Sequence, residues 1–129
     1  MKTILIVDDS QAQLKLVKDY LKSPYLKIVT ATDGTKGLGI TRIIKPDLII
    51  TDLVMPELGG LELCRLLKRD LELAQIPIIV CSSKNRDIDR KWSFKQGAAA
   101  YVVKPFTQEE IRLAVNKFIN IEQKVAIIN

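Results

Sequence analysis

The strongest constraint on this chain is an alternation between two periods. Five short apolar runs rich in β-branched residues, "TILIV" (3–7), "LKIVTA" (26–31), "DLIIT" (47–51), "IPIIVC" (76–81) and "AYVV" (100–103), are each followed by a longer stretch with apolar residues at helical spacing. Unbroken apolar runs of this length suit strands buried on both faces, which occur where helices cover a parallel sheet on either side. Successive parallel strands need a crossover, and a helix supplies it. The pattern predicts an α/β fold: a doubly wound, five-stranded parallel sheet built from five βα units.

Local signals place the helices. Ser10 and Gln13 fit a capping box at the head of the first, where Leu14, Val17 and Leu21 form an apolar stripe and Lys15, Lys18, Asp19 and Lys22 fall outside it. "SP" at 23–24 ends that helix. A second helix over about 35–44 has Leu38, Ile40, Ile43 and Ile44 as its apolar positions, and Pro46 stops it. Gly37 and Gly39 weaken it by up to about 1 kcal/mol each. A third helix, 60–69, turns Leu61, Cys64 and Leu67 inward. The fourth, about 88–96, ends at Gly97. One of its aromatics, Trp92 or Phe94, is expected to pack inward and the other to anchor a partner. Thr107, with Glu110 three residues on, caps the last helix, 108–120.

With 129 residues the chain makes one domain, expected over 1–120, followed by a short tail over 121–129. No apolar stretch approaches the ~20 residues of a membrane span. The apolar core near the N-terminus is too short for a signal peptide, so a cytoplasmic protein is expected. The chain has no histidine, which excludes a Ser-His-Asp triad, and Cys64 and Cys81 alone cannot complete a four-ligand zinc site. Net charge is +5, but the basic residues are scattered and aromatics make up only 5%. Nucleic acid is therefore not the expected partner, and acidic protein surfaces suit the charge better.

In such a sheet the functional cleft lies beyond the carboxyl ends of the strands. Asp8 and Asp9 follow the first run, Asp52 the third, Ser82 and Ser83 the fourth, and Lys104-Pro105 the fifth. Each alone reads as a turn, cap or surface residue; jointly they fall at one end of one sheet. Three carboxylates repel one another, and a divalent cation resolves the conflict. Oxygen ligands without imidazole or thiolate favour Mg2+, which shares its shell with phosphate oxygens. Lys104 and the Ser82 hydroxyl complete a set suited to a phosphoryl group. One carboxylate can then act as nucleophile and form an aspartyl phosphate.

The motifs "VDDS", "PDLIITDLVMPELGGLEL", "IPIIVCSS" and "GAAAYVVKPF" resemble those of response-regulator receiver domains of two-component signalling, the CheY-like family, over residues 1 to about 120. The resemblance implies a flavodoxin-like sheet of order 2-1-3-4-5 and a stand-alone receiver. It implies that Asp52 accepts a phosphoryl group from a histidine kinase or phosphotransfer protein. Mg2+ would be held by Asp9, Asp52 and the backbone carbonyl of Val54, with Asp8 acting through coordinated water. Ser82 would move to bond the phosphoryl group beside Lys104, and Tyr101 would swing inward. The face of the fourth helix, fifth strand and fifth helix would then change its target protein. The segment "DRKWSFKQGA" is similar to that of single-domain receivers tied to type IV pilus motility and phototaxis.

Two positions depart from the family, which often carries a polar or acidic side chain two residues after the phosphoacceptor and two after the switch hydroxyl. Here these are Val54 and Lys84. Val54 cannot orient a hydrolytic water, so slow loss of phosphate is expected. No output domain follows residue 120, so output is expected through protein contact. The alternative is a Mg2+-dependent aspartyl-phosphate phosphatase of haloacid-dehalogenase type. That chemistry needs a D-x-D pair after the first strand, where this chain has Asp8-Asp9-Ser10. Flavodoxin-like cofactor binding would want a hydroxyl- and glycine-rich loop where these acidic residues stand.

Overall fold

The computed structural model describes residues 1–121. Of the expected tail, all but Ile121 lies outside the described residues. The elements in chain order are β1 (Lys2–Val7), α1 (Gln11–Leu21), β2 (Leu26–Ala31), α2 (Gly34–Ile44), β3 (Leu48–Asp52), α3 (Gly60–Arg69), β4 (Ile78–Ser82), α4 (Asp87–Lys95), β5 (Ala100–Val103) and α5 (Gln108–Asn116). The strands pair in parallel in the order β2-β1-β3-β4-β5. This is the doubly wound, flavodoxin-like α/β arrangement.

Successive residues of a strand point to opposite faces. Ile4, Ile6, Leu48, Ile50 and Ile79 join Leu14, Val17 and Leu21 of α1 and Ile111 and Val115 of α5 in one core. Leu5, Val7, Ile49, Ile78 and Val80 join Leu63, Cys64 and Leu67 of α3 in the other. α1 packs on α5 along one face; α2, α3 and α4 follow one another along the other. Among the described residues no helix is long and apolar enough to cross a membrane.

Several local expectations change. β4 begins at Ile78 rather than at residue 76, because Pro77 has no N–H for the ladder. Its carbonyl still accepts from the Ile49 N–H at 3.0 Å. α5 closes at Asn116, short of 120, and the Asn116 side chain instead accepts from the Ile121 N–H at 3.2 Å. The capping box of α1 is only half formed. Ser10 Oγ accepts from the Gln13 N–H at 3.2 Å, but Gln13 Oε1 is buried without a partner. In α3 the fully buried leucines are Leu63 and Leu67, and Leu61 is half-buried.

The apolar positions expected for α2 are wrong in part. Ile43 and Ile44 are exposed, while Gly34, Gly37 and Thr41 face the protein. A Cβ on Gly37 would lie 2.9 Å from Val7 Cγ2. The glycine lets α2 sit against β1, which offsets its low helix propensity. Gly39 has no such reason, since a Cβ there meets nothing within 4 Å. In α4 neither aromatic packs inward: Trp92 is 45% and Phe94 48% exposed. The buried position is Ser93, whose Oγ donates to the Asp89 carbonyl at 2.8 Å. A small side chain that satisfies its own hydroxyl lets the helix lie close, and the aromatics flanking it are left at the surface.

Candidate functional site

Strand register builds the site. Val7 pairs with Thr51, so one step further Asp8 stands beside Asp52. Asp52 pairs with Cys81, and Cys81 with Val102, which carries the row across to the end of β5 and Lys104. Central strands that are almost wholly buried thus end in polar groups at the same edge.

The ligand atoms of Asp8, Asp9 and Asp52 all lie within 4.8 Å of one another. Lys104 Nζ donates to Asp8 Oδ2 at 2.8 Å and to Asp52 Oδ2 at 3.3 Å. The remaining oxygens are partly fixed by backbone. Asp8 Oδ1 accepts from the Ser10 N–H at 2.9 Å, and Asp52 Oδ1 from the Leu53 N–H at 2.7 Å. Asp8 is buried, Asp52 is half-buried and Asp9 is exposed. Burial alone would lower the Lys104 pKa, but the hydrogen bond to Asp8 and the charges of Asp52 and Asp8 outweigh it and hold the ammonium above its ordinary range. One ammonium among three carboxylates leaves the cluster net anionic. Its donors are all hard oxygens, the set that fits Mg2+.

The loop after β3 closes tightly. A Cβ on Gly60 would fall 2.2 Å from the Asp52 carbonyl oxygen, so only glycine allows α3 to start there, and the Gly60 N–H bonds the Leu53 carbonyl at 2.9 Å. The exposed Val54 sits at the mouth of this loop. Its carbonyl accepts no hydrogen bond from any described residue.

Ser82 is 2% exposed at the end of β4, and Ser83 is exposed. Ser82 Oγ accepts from the Lys84 N–H at 3.2 Å. Tyr101 Oη donates to the Lys84 carbonyl at 2.5 Å, so the backbone of Lys84 is held from both sides. Burial raises the Tyr101 pKa above its usual value, against the pull of Ser82 and Arg90. The Arg90 guanidinium lies 5.5 Å from the centroid of the Tyr101 ring. Sequence reasoning missed two of these elements. Gly60 carried a signal, a glycine pair directly before a helix. Arg90 carried none, because its contact joins α4 to β5 across the fold.

Fold and cluster together define a class: a flavodoxin-like sheet with an acidic, cation-ready pocket at its carboxyl edge. The chain belongs to the response regulator receiver domain family, whose model matches residues 4–116. It is 34% identical over 116 residues to protein PilH of Pseudomonas aeruginosa, an alignment spanning 90% of this chain and 96% of that protein. It is 32% identical to the alkaline phosphatase synthesis transcriptional regulatory protein PhoP of Bacillus subtilis, of which it spans 47%. Among solved structures, the chemotaxis protein CheY4 of Vibrio cholerae superposes with a TM-score of 0.86 at 25% identity, covering 92% of this chain and 99% of that one. The chain is thus a receiver domain of the two-component response-regulator type, a signalling module.

Proposed function

We propose that the protein is a phosphorylation-controlled switch in which Asp52 accepts a phosphoryl group from a histidine kinase or phosphotransfer protein. The observation that carries this reading is the acidic cluster bridged by Lys104. In the transfer, one Asp52 carboxylate oxygen forms the new O–P bond as the donor's N–P bond breaks, and the electron pair leaves with the imidazole nitrogen. Lys104 draws one phosphoryl oxygen while staying within reach of Asp8. The Ser82 hydroxyl gives up its acceptor bond from Lys84 and donates to another.

Asp9, Asp52 and the Val54 carbonyl would hold Mg2+, with Asp8 reaching it through water; its chemistry there is to neutralise charge on the phosphoryl oxygens. Ser82 and Tyr101 both grip Lys84, so displacement of Ser82 bears directly on Tyr101 and on the face of α4, β5 and α5. That face would exchange target proteins rather than nucleic acid. The PilH similarity supports chemotaxis or motility signalling as the setting, in the cytoplasm where a kinase would act. The phosphatase alternative has less support: the position that should carry its second aspartate is Ser10, whose hydroxyl is committed to capping α1.

The test is addition of acetyl phosphate, or of beryllofluoride as a stable mimic, with and without Mg2+. Wild type is expected to gain one phosphoryl group from acetyl phosphate by intact mass only with Mg2+, with acetate as the leaving group, and Asp52→Ala none. An Mg2+-dependent gain that persists in Asp52→Ala refutes the reading.

A further inference from the structure

We propose that the flank of α4 bearing Ile88 and Trp92 docks an acidic amphipathic helix of a partner protein, separately from the Tyr101 face. At about 100° per residue, Ile88 and Trp92 lie one turn apart on one side of the helix. Both are roughly 160° around from Arg90. Arg90 stacks on Tyr101 and so marks the flank facing β5. Ile88 and Trp92 therefore lie on the flank turned away from β5. They are 52% and 45% exposed, two large apolar side chains adjacent on one helix that no described residue covers fully.

Charge selects the occupant. Lys84, Arg86, Arg90, Lys91 and Lys95 outnumber Asp87 and Asp89 in and before α4, and Asp89 is already paired with Arg86 at 3.2 Å. Lys95 Nζ lies 5.2 Å from the centroid of the Trp92 ring, and Lys91 is one turn before it. Cations therefore border the apolar contact on its solvent side. A helix with aliphatic anchors on one face and carboxylates beside them matches both features, the anchors on Trp92 and Ile88 and the carboxylates on Lys91 and Lys95. An anionic membrane would want a wider apolar face than two side chains on a helix of 9 residues.

Trp92 is the single tryptophan, so its emission reports this flank directly. The probe is a fluorophore-labelled synthetic peptide of about four helical turns, with leucines on one face and glutamates elsewhere. It is titrated into unphosphorylated protein without Mg2+, so failure of the phosphoryl-transfer reading leaves this result untouched. The expected result is a blue shift of Trp92 emission and binding that weakens several-fold between about 0.05 and about 0.5 M salt. Trp92→Ala, checked for folding by its thermal midpoint, is expected to bind about tenfold or more weakly. The paired change Lys91→Glu and Lys95→Glu, which keeps the ring, is expected to do the same. Leu113→Ala on α5 should change binding less than about twofold. The proposal is overturned by absent binding, by equal binding of a peptide with lysine in place of glutamate, by an equal loss in Leu113→Ala, or by a comparable Trp92 shift with phosphatidylglycerol vesicles.

Discussion

α3 and α4 lie side by side on the same face of the sheet, and each follows a strand that ends at the acidic cluster, yet they are held by different means. α3 buries Leu63, Cys64 and Leu67, all 0% exposed, and its Lys68 ammonium donates to the carbonyls of Ala74 and Ile76 at 2.7 and 3.2 Å. α4 buries only Ser93 and leaves Ile88, Trp92 and Phe94 in solvent. Hydrophobic burial scales with apolar area removed from water, so α3 is fastened to the core more firmly than α4. The difference divides the labour. The helix behind the candidate phosphoacceptor has three fully buried anchors, and the helix behind the candidate switch hydroxyl has one small one, so α4 is expected to open locally more readily.

The largest expected effect breaks α3. Leu67→Ala removes a fully buried side chain and should cost about 3 kcal/mol, within the usual 2–5 for such truncations. Chemical denaturation measures it. A loss below about 1 kcal/mol would mean that α3 is no better anchored than α4.

The same contrast explains what could be read from the sequence. The five parallel strands and the anchoring of α1 and α3 follow from apolar spacing, because large side chains there do the packing, whereas the strand order comes from the family resemblance. α2 and α4 escaped that logic. Their buried positions are small, Gly34, Gly37 and Thr41 in one and Ser93 in the other, and hydrophobic periodicity cannot see close approach by small residues. The acidic cluster was legible because each member directly follows a strand, so topology alone brings Asp8, Asp9, Asp52 and Lys104 together. The Tyr101–Lys84 and Arg90–Tyr101 contacts were not, since they depend on how loop and helix fold back over β5.

A second test uses pH. Burial raises the Cys64 thiol to about 11, with the Lys68 charge pulling it partly back, and raises Cys81 to about 12. Thiols in the unfolded chain ionise near 8.5. The folded state therefore keeps protons that the unfolded state gives up. Stability from this source is complete below about 8.5 and is lost as pH climbs towards the folded values. The expected decline is about 1.4 kcal/mol per pH unit for each thiol. Urea midpoints measured from about pH 7.5 to about 10.5 should fall less steeply in Cys64→Ala than in wild type. Parallel slopes would show that α3 does not seal Cys64 from water. α4 carries no thiol and has no such alkaline signature.

The loops leading into the two helices offer a third, smaller comparison. Val54 stands two residues after Asp52 and Lys84 two after Ser82. The Val54 side chain is 58% exposed at the mouth of the cluster and cannot hydrogen-bond a water. On the proposed function, phosphorylated wild type should lose its phosphoryl group slowly, and Val54→Asn should hasten the loss by about tenfold. Intact mass followed over time after removal of the small-molecule donor gives both lifetimes. Equal lifetimes would locate the control of hydrolysis away from the β3–α3 loop.

The smallest expected effect is the most diagnostic for α4. Trp92→Ser and Ile88→Ser remove side chains that are already about half exposed, so each should cost no more than about 1.5 kcal/mol, well under the Leu67→Ala loss. Hydrogen exchange reads the same property without mutation. The α4 amides should exchange by local opening, with protection at least about tenfold below that of α3. The Asp89 carboxylate accepts from the Arg86 N–H at 3.3 Å, but the first-turn amides of α4 have no intrahelical acceptor, so its slowest amides should be those of the last turn, around the buried Ser93. If the amides around Ser93 instead match α3, the single buried serine fastens α4 as firmly as three apolar side chains fasten α3. A shift of Ser82 could not then reach the partner surface by moving the helix, and would have to act through Tyr101 alone.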